Sequence, residues 1–128
     1  MRPRIIFFGT PVFGQIVLRK LSDDNFNVVA VVTQPDRPVG RDQKLTPSPV
    51  KTFAKENKIK IFSPADKGEL STINRKLAKL KPTLFVVASY GMIVPSETLL
   101  IPEKGALNVH PSLRRNLPKP PEDLFLTP

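Results

Sequence analysis

Arg4-Ile5-Ile6-Phe7-Phe8-Gly9-Thr10-Pro11 is a run of branched and aromatic residues closed by a glycine and a proline. A short apolar run with no polar alternation suits a strand buried on both faces of a parallel sheet. Gly9-Thr10-Pro11 ends the strand, and Pro11 fits the first turn of a helix, where a missing N–H costs nothing. Phe13, Val17 and Leu21 then recur at a spacing of four, which predicts that helix. The same strand pattern returns at Val28 to Val32 and Leu84 to Ala88, and in shorter form at Ile59 to Phe62. Leu70, Ile73, Leu77 and Leu80 recur at helical spacing between the last two. Such alternation predicts an α/β fold: a doubly wound parallel sheet with its ligand crevice at the carboxyl ends of the strands.

The loops at those ends carry the polar chemistry. Thr33 to Pro49 contains four prolines and the basic residues Arg37, Arg41 and Lys44, too polar and too long for a plain connector. A helix is predicted to start near Pro47 or Ser48, with Val50, Phe53 and Ala54 facing inward. Ser89-Tyr90-Gly91-Met92 follows a strand directly, which leaves its main chain available to a ligand. Gly105-Ala106-Leu107-Asn108-Val109-His110-Pro111-Ser112 reads as another strand, ended by Pro111. Period-two alternation puts Asn108 and His110 on one side and turns Leu107 and Val109 to the core. An amide donor beside an imidazole suits chemistry in which a carbonyl oxygen gains charge while a proton leaves an attacking amine. Taken alone, an Asn-x-His at a strand end is more often just a pair of structurally satisfied polar groups.

The chain has 128 residues, one domain's worth, with 40% hydrophobic and 24% charged residues. No apolar run approaches the ~20 residues of a membrane span, and a first strand at Arg4 leaves no room for a signal peptide. A cytoplasmic monomer without membrane contact is therefore expected. With no cysteine and one histidine, disulfides and thiolate or zinc sites are not expected. The net charge of +9 favours a polyanion such as RNA. Lys55, Lys58, Lys76 and Lys79 are better read as solvated helix faces.

Together and in order, the first strand and its turn, Thr33-Gln34-Pro35-Asp36-Arg37-Pro38, Leu45-Thr46-Pro47-Ser48-Pro49-Val50-Lys51, Val87 to Pro95 and the Asn108 strand resemble the N-terminal part of the methionyl-tRNA formyltransferase family. The likeness runs from about Arg4 to Leu113. It implies a Rossmann-like sheet of the formyltransferase type, incomplete on its C-terminal side. It also implies transfer of a formyl group from 10-formyltetrahydrofolate to the amino group of initiator methionyl-tRNA, with no metal. In the family the asparagine holds the formyl oxygen and the histidine assists proton transfer, roles that fall on Asn108 and His110. The folate pocket falls on Ser89, Tyr90, Gly91, Ile93, Ser112 and Leu113. Tyr90 either meets the folate or packs its loop onto the sheet. Arg41 falls where the family grips tRNA, and Arg37 and Lys44, clustered with it in the same basic loop, suit contact with RNA phosphates.

The likeness stops at Arg114-Arg115-Asn116, which departs from the family's continuation and suggests a frameshift or chimaeric end. Residues 1–112 are accordingly read as the N-terminal part of a formyl transferase domain. Residues 113–128, with four prolines and no periodicity, are read as a tail outside the family without stable structure. The family's aspartate partner for the histidine has no counterpart, so little activity is expected. Three alternatives stay open: an inert fragment, a formyltransferase for another amine, and a dinucleotide-binding module. The last lacks the middle glycine in Gly9-Thr10-Pro11-Val12-Phe13-Gly14 and has Thr33-Gln34 where an acid would hold ribose.

Overall fold

Ile5 to Phe8 are buried almost completely, and the strand they form runs through the middle of the sheet. A computed structural model describes residues 2–111 and the backbone of residues 124–127. In chain order the elements are β1 (Arg4–Gly9), α1 (Val12–Asp23), β2 (Asn27–Val32), β3 (Arg37–Val39), β4 (Lys44–Thr46), α2 (Pro49–Glu56), β5 (Lys60–Phe62), α3 (Lys67–Thr72), α4 (Asn74–Lys79), β6 (Leu84–Ala88), α5 (Ser96–Leu99), β7 (Ala106–Val109) and β8 (Leu124–Thr127). The main sheet has the order β5-β2-β1-β6-β7-β8. Its first five strands are mutually parallel. The order reverses direction at β1 and β6, which places the crevice between their carboxyl ends.

Both faces of the sheet are covered, as the continuous apolar runs require. On one face Ile6, Phe8, Ala30, Val32, Phe62 and Phe85 pack with Leu70 and Leu77. On the other, Ile5, Phe7, Val31 and Val86 pack with Leu18 of α1 and Val50, Phe53 and Ala54 of α2. Those last three are the inward positions expected from spacing, and Ser48 caps the helix by accepting from the Lys51 N–H at 3.0 Å. Among the described residues no helix is long and apolar enough to cross a membrane.

Three features depart from the sequence reading. The Leu70 to Leu80 periodicity is split into α3 and α4. The Thr72 hydroxyl donates to the Glu69 carbonyl at 2.6 Å, and the Ile73 N–H turns to the Leu70 carbonyl instead; such back-bonding competes with the helical ladder. The long polar loop contains a hairpin in which β3 and β4 pair antiparallel, Arg37 against Thr46 and Val39 against Lys44. Leu124–Thr127, within the tail expected to lack structure, pairs antiparallel with β7, so the sheet is not wholly parallel. An uncovered β7 would present a row of unpaired donors and acceptors, and a proline-free strand satisfies them.

Candidate functional site

The crevice is built around Thr10, the residue just after β1. Its N–H donates to the Ser89 carbonyl at 3.2 Å, and its own carbonyl accepts from the Val50 N–H at 3.4 Å. Its hydroxyl donates to the Tyr90 carbonyl at 2.7 Å and accepts from the Gln34 N–H at 3.3 Å. One threonine thus ties the ends of β1, β2 and β6 to the start of α2. Beside it lies a cleft of about 270 Å³ lined by Pro11, Gln34, Arg37, Ser89 and Gly91 among others. A second, of about 260 Å³, shares Thr10 and Arg37 and opens between the hairpin and Pro47 to Pro49.

The main chain of the 89–91 turn is sharply bent. Ser89 has φ +56° and Gly91 φ +90°, conformations that cost a side-chain-bearing residue steric energy. The bend turns the Tyr90 ring inward. Tyr90 is only 2% exposed, and its ring meets Phe8 edge-on at 5.4 Å. Its hydroxyl is buried with no hydrogen-bond partner among the described residues, and burial pushes the phenol up to about 12. Of the two uses foreseen for Tyr90, the side chain takes the packing one, and its carbonyl faces Thr10 and Gln34. Ile93, by contrast, is strongly exposed, at 76%.

The basic hairpin stands over the cleft. Gly40 to Gln43 form its turn, with Gly40 at φ +76°, and the Gln43 side chain donates to the Gly40 carbonyl at 2.9 Å. Arg41 is therefore at the tip, while Arg37 and Lys44 lie on the two strands, all exposed. At the base, Lys51 Nζ meets Asp36 at 2.8 Å. Arg37 reaches back and donates to Gln34 Oε1 at 2.7 Å.

Asn108 lies on β7, opposite Val87 of β6, and is half-buried. Val109 packs with the α1 and α2 face and Ala106 with the opposite one, so both sides of β7 meet core. His110 follows the strand end and is exposed. Neither lines the cleft around Thr10; they stand one strand beyond it, at the same carboxyl end. Ser112 and Leu113 lie outside the described residues. Gln34 and Thr10 were not singled out as site residues from the sequence. The available signal was their position: Thr10 directly follows β1 at the switch point, and Gln34 lies two residues beyond the end of the neighbouring β2.

Residues 3–119 match the model of the family described as formyl transferase, a span that runs past Leu113. A methionyl-tRNA formyltransferase of Nitrosococcus oceani is 48% identical over 114 residues, 87% of this chain and 34% of that protein. The chain spans about a third of the length of the curated relatives it matches. The phosphoribosylglycinamide formyltransferase of Brucella melitensis has the same fold, with a TM-score of 0.65 at 19% identity over 93% of this chain and 62% of that one. A formyltetrahydrofolate deformylase of Pseudomonas syringae pv. tomato superposes with a TM-score of 0.61 at 13% identity, covering 86% of this chain and 36% of that one. Fold and sequence therefore agree over the same strands and crevice, and the chain belongs to the formyl transferase family.

Proposed function

We propose that the chain serves, with little activity of its own, transfer of a formyl group from 10-formyltetrahydrofolate to the amino group of initiator methionyl-tRNA. The observation that carries this reading is the common placement of the basic hairpin, the bent 89–91 turn and the Asn108 strand at one end of the sheet. The relatives named for this reaction, and a fold neighbour named for formyltetrahydrofolate, support it.

On this reading the amine lone pair attacks the formyl carbon, and the C–N bond forms as charge gathers on the formyl oxygen. Asn108 donates its amide hydrogen to that oxygen, an interaction that strengthens as charge develops. His110 takes the proton from the attacking nitrogen and passes it to the folate nitrogen as the original C–N bond breaks. Ser89, Tyr90 and Gly91 offer main-chain groups to the folate, the resemblance to the family adds Ile93, Ser112 and Leu113 to its contacts, and Arg37, Arg41 and Lys44 meet RNA phosphates. The chain works as a cytoplasmic monomer.

Calorimetric titration with 5-formyltetrahydrofolate as a binding probe, and separately formyl transfer from 10-formyltetrahydrofolate to methionyl-tRNA, test the reading. Binding that survives Asn108→Ala, with transfer falling about 10²–10³-fold, is the expected result. Absence of folate binding by the unmodified chain would overturn it.

A further inference from the structure

Gln34 joins two parts of the site that sequence alone keeps apart. Its Nε2 donates to the Tyr90 carbonyl at 3.0 Å, and its Oε1 accepts from Arg37 at 2.7 Å. A side chain at Gly91 would collide with Gln34 Nε2, so the amide occupies the space it would fill. The backbone N–H of Gln34 is fixed by Thr10, which leaves the side-chain amide as the adjustable link. Nitrogen and oxygen of that amide are coplanar and move together. With Arg37 in place both ends are held; without it only the Tyr90 carbonyl retains the group.

Arg37 is exposed, and its acceptor is the neutral amide oxygen of Gln34. A phosphate is a stronger acceptor for a guanidinium, being charged and able to take two parallel N–H donors. The nearby carboxylate that would compete for Arg37, Asp36, is already engaged by Lys51. An RNA backbone on the hairpin is therefore set to draw Arg37 from Gln34. We propose that Gln34 is a positioning residue that couples the hairpin to the 89–91 turn: Arg37 on its Oε1 holds the turn closed, and a phosphate that withdraws Arg37 loosens it. The two occupants of the site then weaken each other's binding, by the same factor in each direction. This rests on the folate and tRNA reading above for the identity of the ligands, but not for the link itself.

Amide hydrogen exchange on the ligand-free chain tests the link directly. Arg37→Ala is expected to accelerate exchange in the peptide containing 89–92, across the site from the substitution. Gln34→Ala should accelerate that peptide and the hairpin peptide 37–46 together. Gln34→Glu keeps an acceptor for Arg37 but has no donor for the Tyr90 carbonyl, so it should protect the hairpin while loosening 89–92. Effects confined to the peptide carrying each substitution would overturn the proposal. With ligands, saturating deacylated tRNA should lower the affinity of the unmodified chain for 5-formyltetrahydrofolate by roughly fivefold or more. In Gln34→Glu that factor should fall to about one. An undiminished factor there, or tRNA that tightens folate binding, would also overturn it. A chain that binds neither ligand sinks the folate and tRNA reading, while the exchange measurements still decide the link.

Discussion

Thr33 and Ser48 share a buried hydroxyl-to-hydroxyl hydrogen bond of 2.7 Å across fifteen residues of sequence. Thr33 closes β2, its N–H donating to the Phe62 carbonyl at 3.0 Å, and Ser48 opens α2 as its cap. The bond clamps the two stems from which the basic hairpin rises. The base of the hairpin is thus fixed by core-facing polar groups while its tip is free to meet a partner.

Ser48→Ala removes a helix cap, a cost of about 1 kcal/mol, and strands the Thr33 hydroxyl in the core, about 1–3 kcal/mol more. Thr33→Val removes only the shared bond, at about 1 kcal/mol, because Ser48 keeps the Lys51 N–H. Urea unfolding should therefore rank Ser48→Ala as clearly the more damaging. Equal costs would mean that the cap contributes nothing.

Gly91→Ala is expected to destabilise through two separable causes. The φ of +90° costs a side-chain-bearing residue about 1–2 kcal/mol, and the new methyl collides with the Gln34 amide. Removing that amide as well, in Gly91→Ala with Gln34→Ala, leaves the backbone cost alone. The double substitution should be less damaging than the sum of the singles by about 0.5–3 kcal/mol. Simple additivity in a double-mutant cycle would place the amide elsewhere.

The buried strands and the inward positions of α2 were legible in the sequence because burial on both faces of a parallel sheet leaves long apolar runs, such as Ile5 to Phe8. The split at Ile73 was not legible, since it turns on one hydroxyl, that of Thr72, finding the Glu69 carbonyl. The hairpin was hidden because β3 and β4 have three residues each, all exposed, and carry no apolar alternation to reveal them. At the site, Asn108 and His110 stood out as chemistry-bearing types. Thr10 and Gln34 did not, because what they do depends on the Tyr90 carbonyl, beyond the end of β6 and more than fifty residues away, and composition holds no trace of such a partner.

Tyr90 offers a spectroscopic test, as the chain's single tyrosine in a sequence without tryptophan. Its folded pKa is raised to about 12 from the ordinary 10, so the unfolded chain releases the proton first. The stability this contributes is intact below pH 10 and is lost as pH climbs from there toward 12. Tyrosinate absorbance should accordingly appear together with loss of far-ultraviolet dichroism rather than before it. Tyr90→Phe removes a buried hydroxyl that has no partner among the described residues and should raise stability by about 1 kcal/mol. A loss of that size would reveal an acceptor for the hydroxyl.

RNA affinity should fall with salt, and Arg41→Ala at the hairpin tip should reduce the slope of log affinity against log salt by roughly 0.7–0.9 for the phosphate contact it removes. Fluorescence titration with tRNA at several salt concentrations measures it. An unchanged slope would assign Arg41 to the surface and leave the contacts to Arg37 and Lys44.

Gly14→Ala reverses the usual sign for a helical glycine. In an exposed helix interior the change gains about 0.8–1 kcal/mol of propensity. Gly14, however, is buried in α1, and a Cβ there would stand 2.9 Å from the Ala88 carbonyl oxygen and 3.1 Å from Val50 Cγ2. The oxygen belongs to the end of β6, just before Ser89, and cannot withdraw without moving the strand. Overpacking of this kind costs about 1–3 kcal/mol, which exceeds the propensity gain over most of that range. Thermal unfolding should show a net loss, and the displaced strand end should weaken 5-formyltetrahydrofolate binding without any change to a residue of the cleft. A stabilised variant with unchanged binding would show that α1 can shift outward, and that the close approach at Gly14 does not set the position of the 89–91 turn.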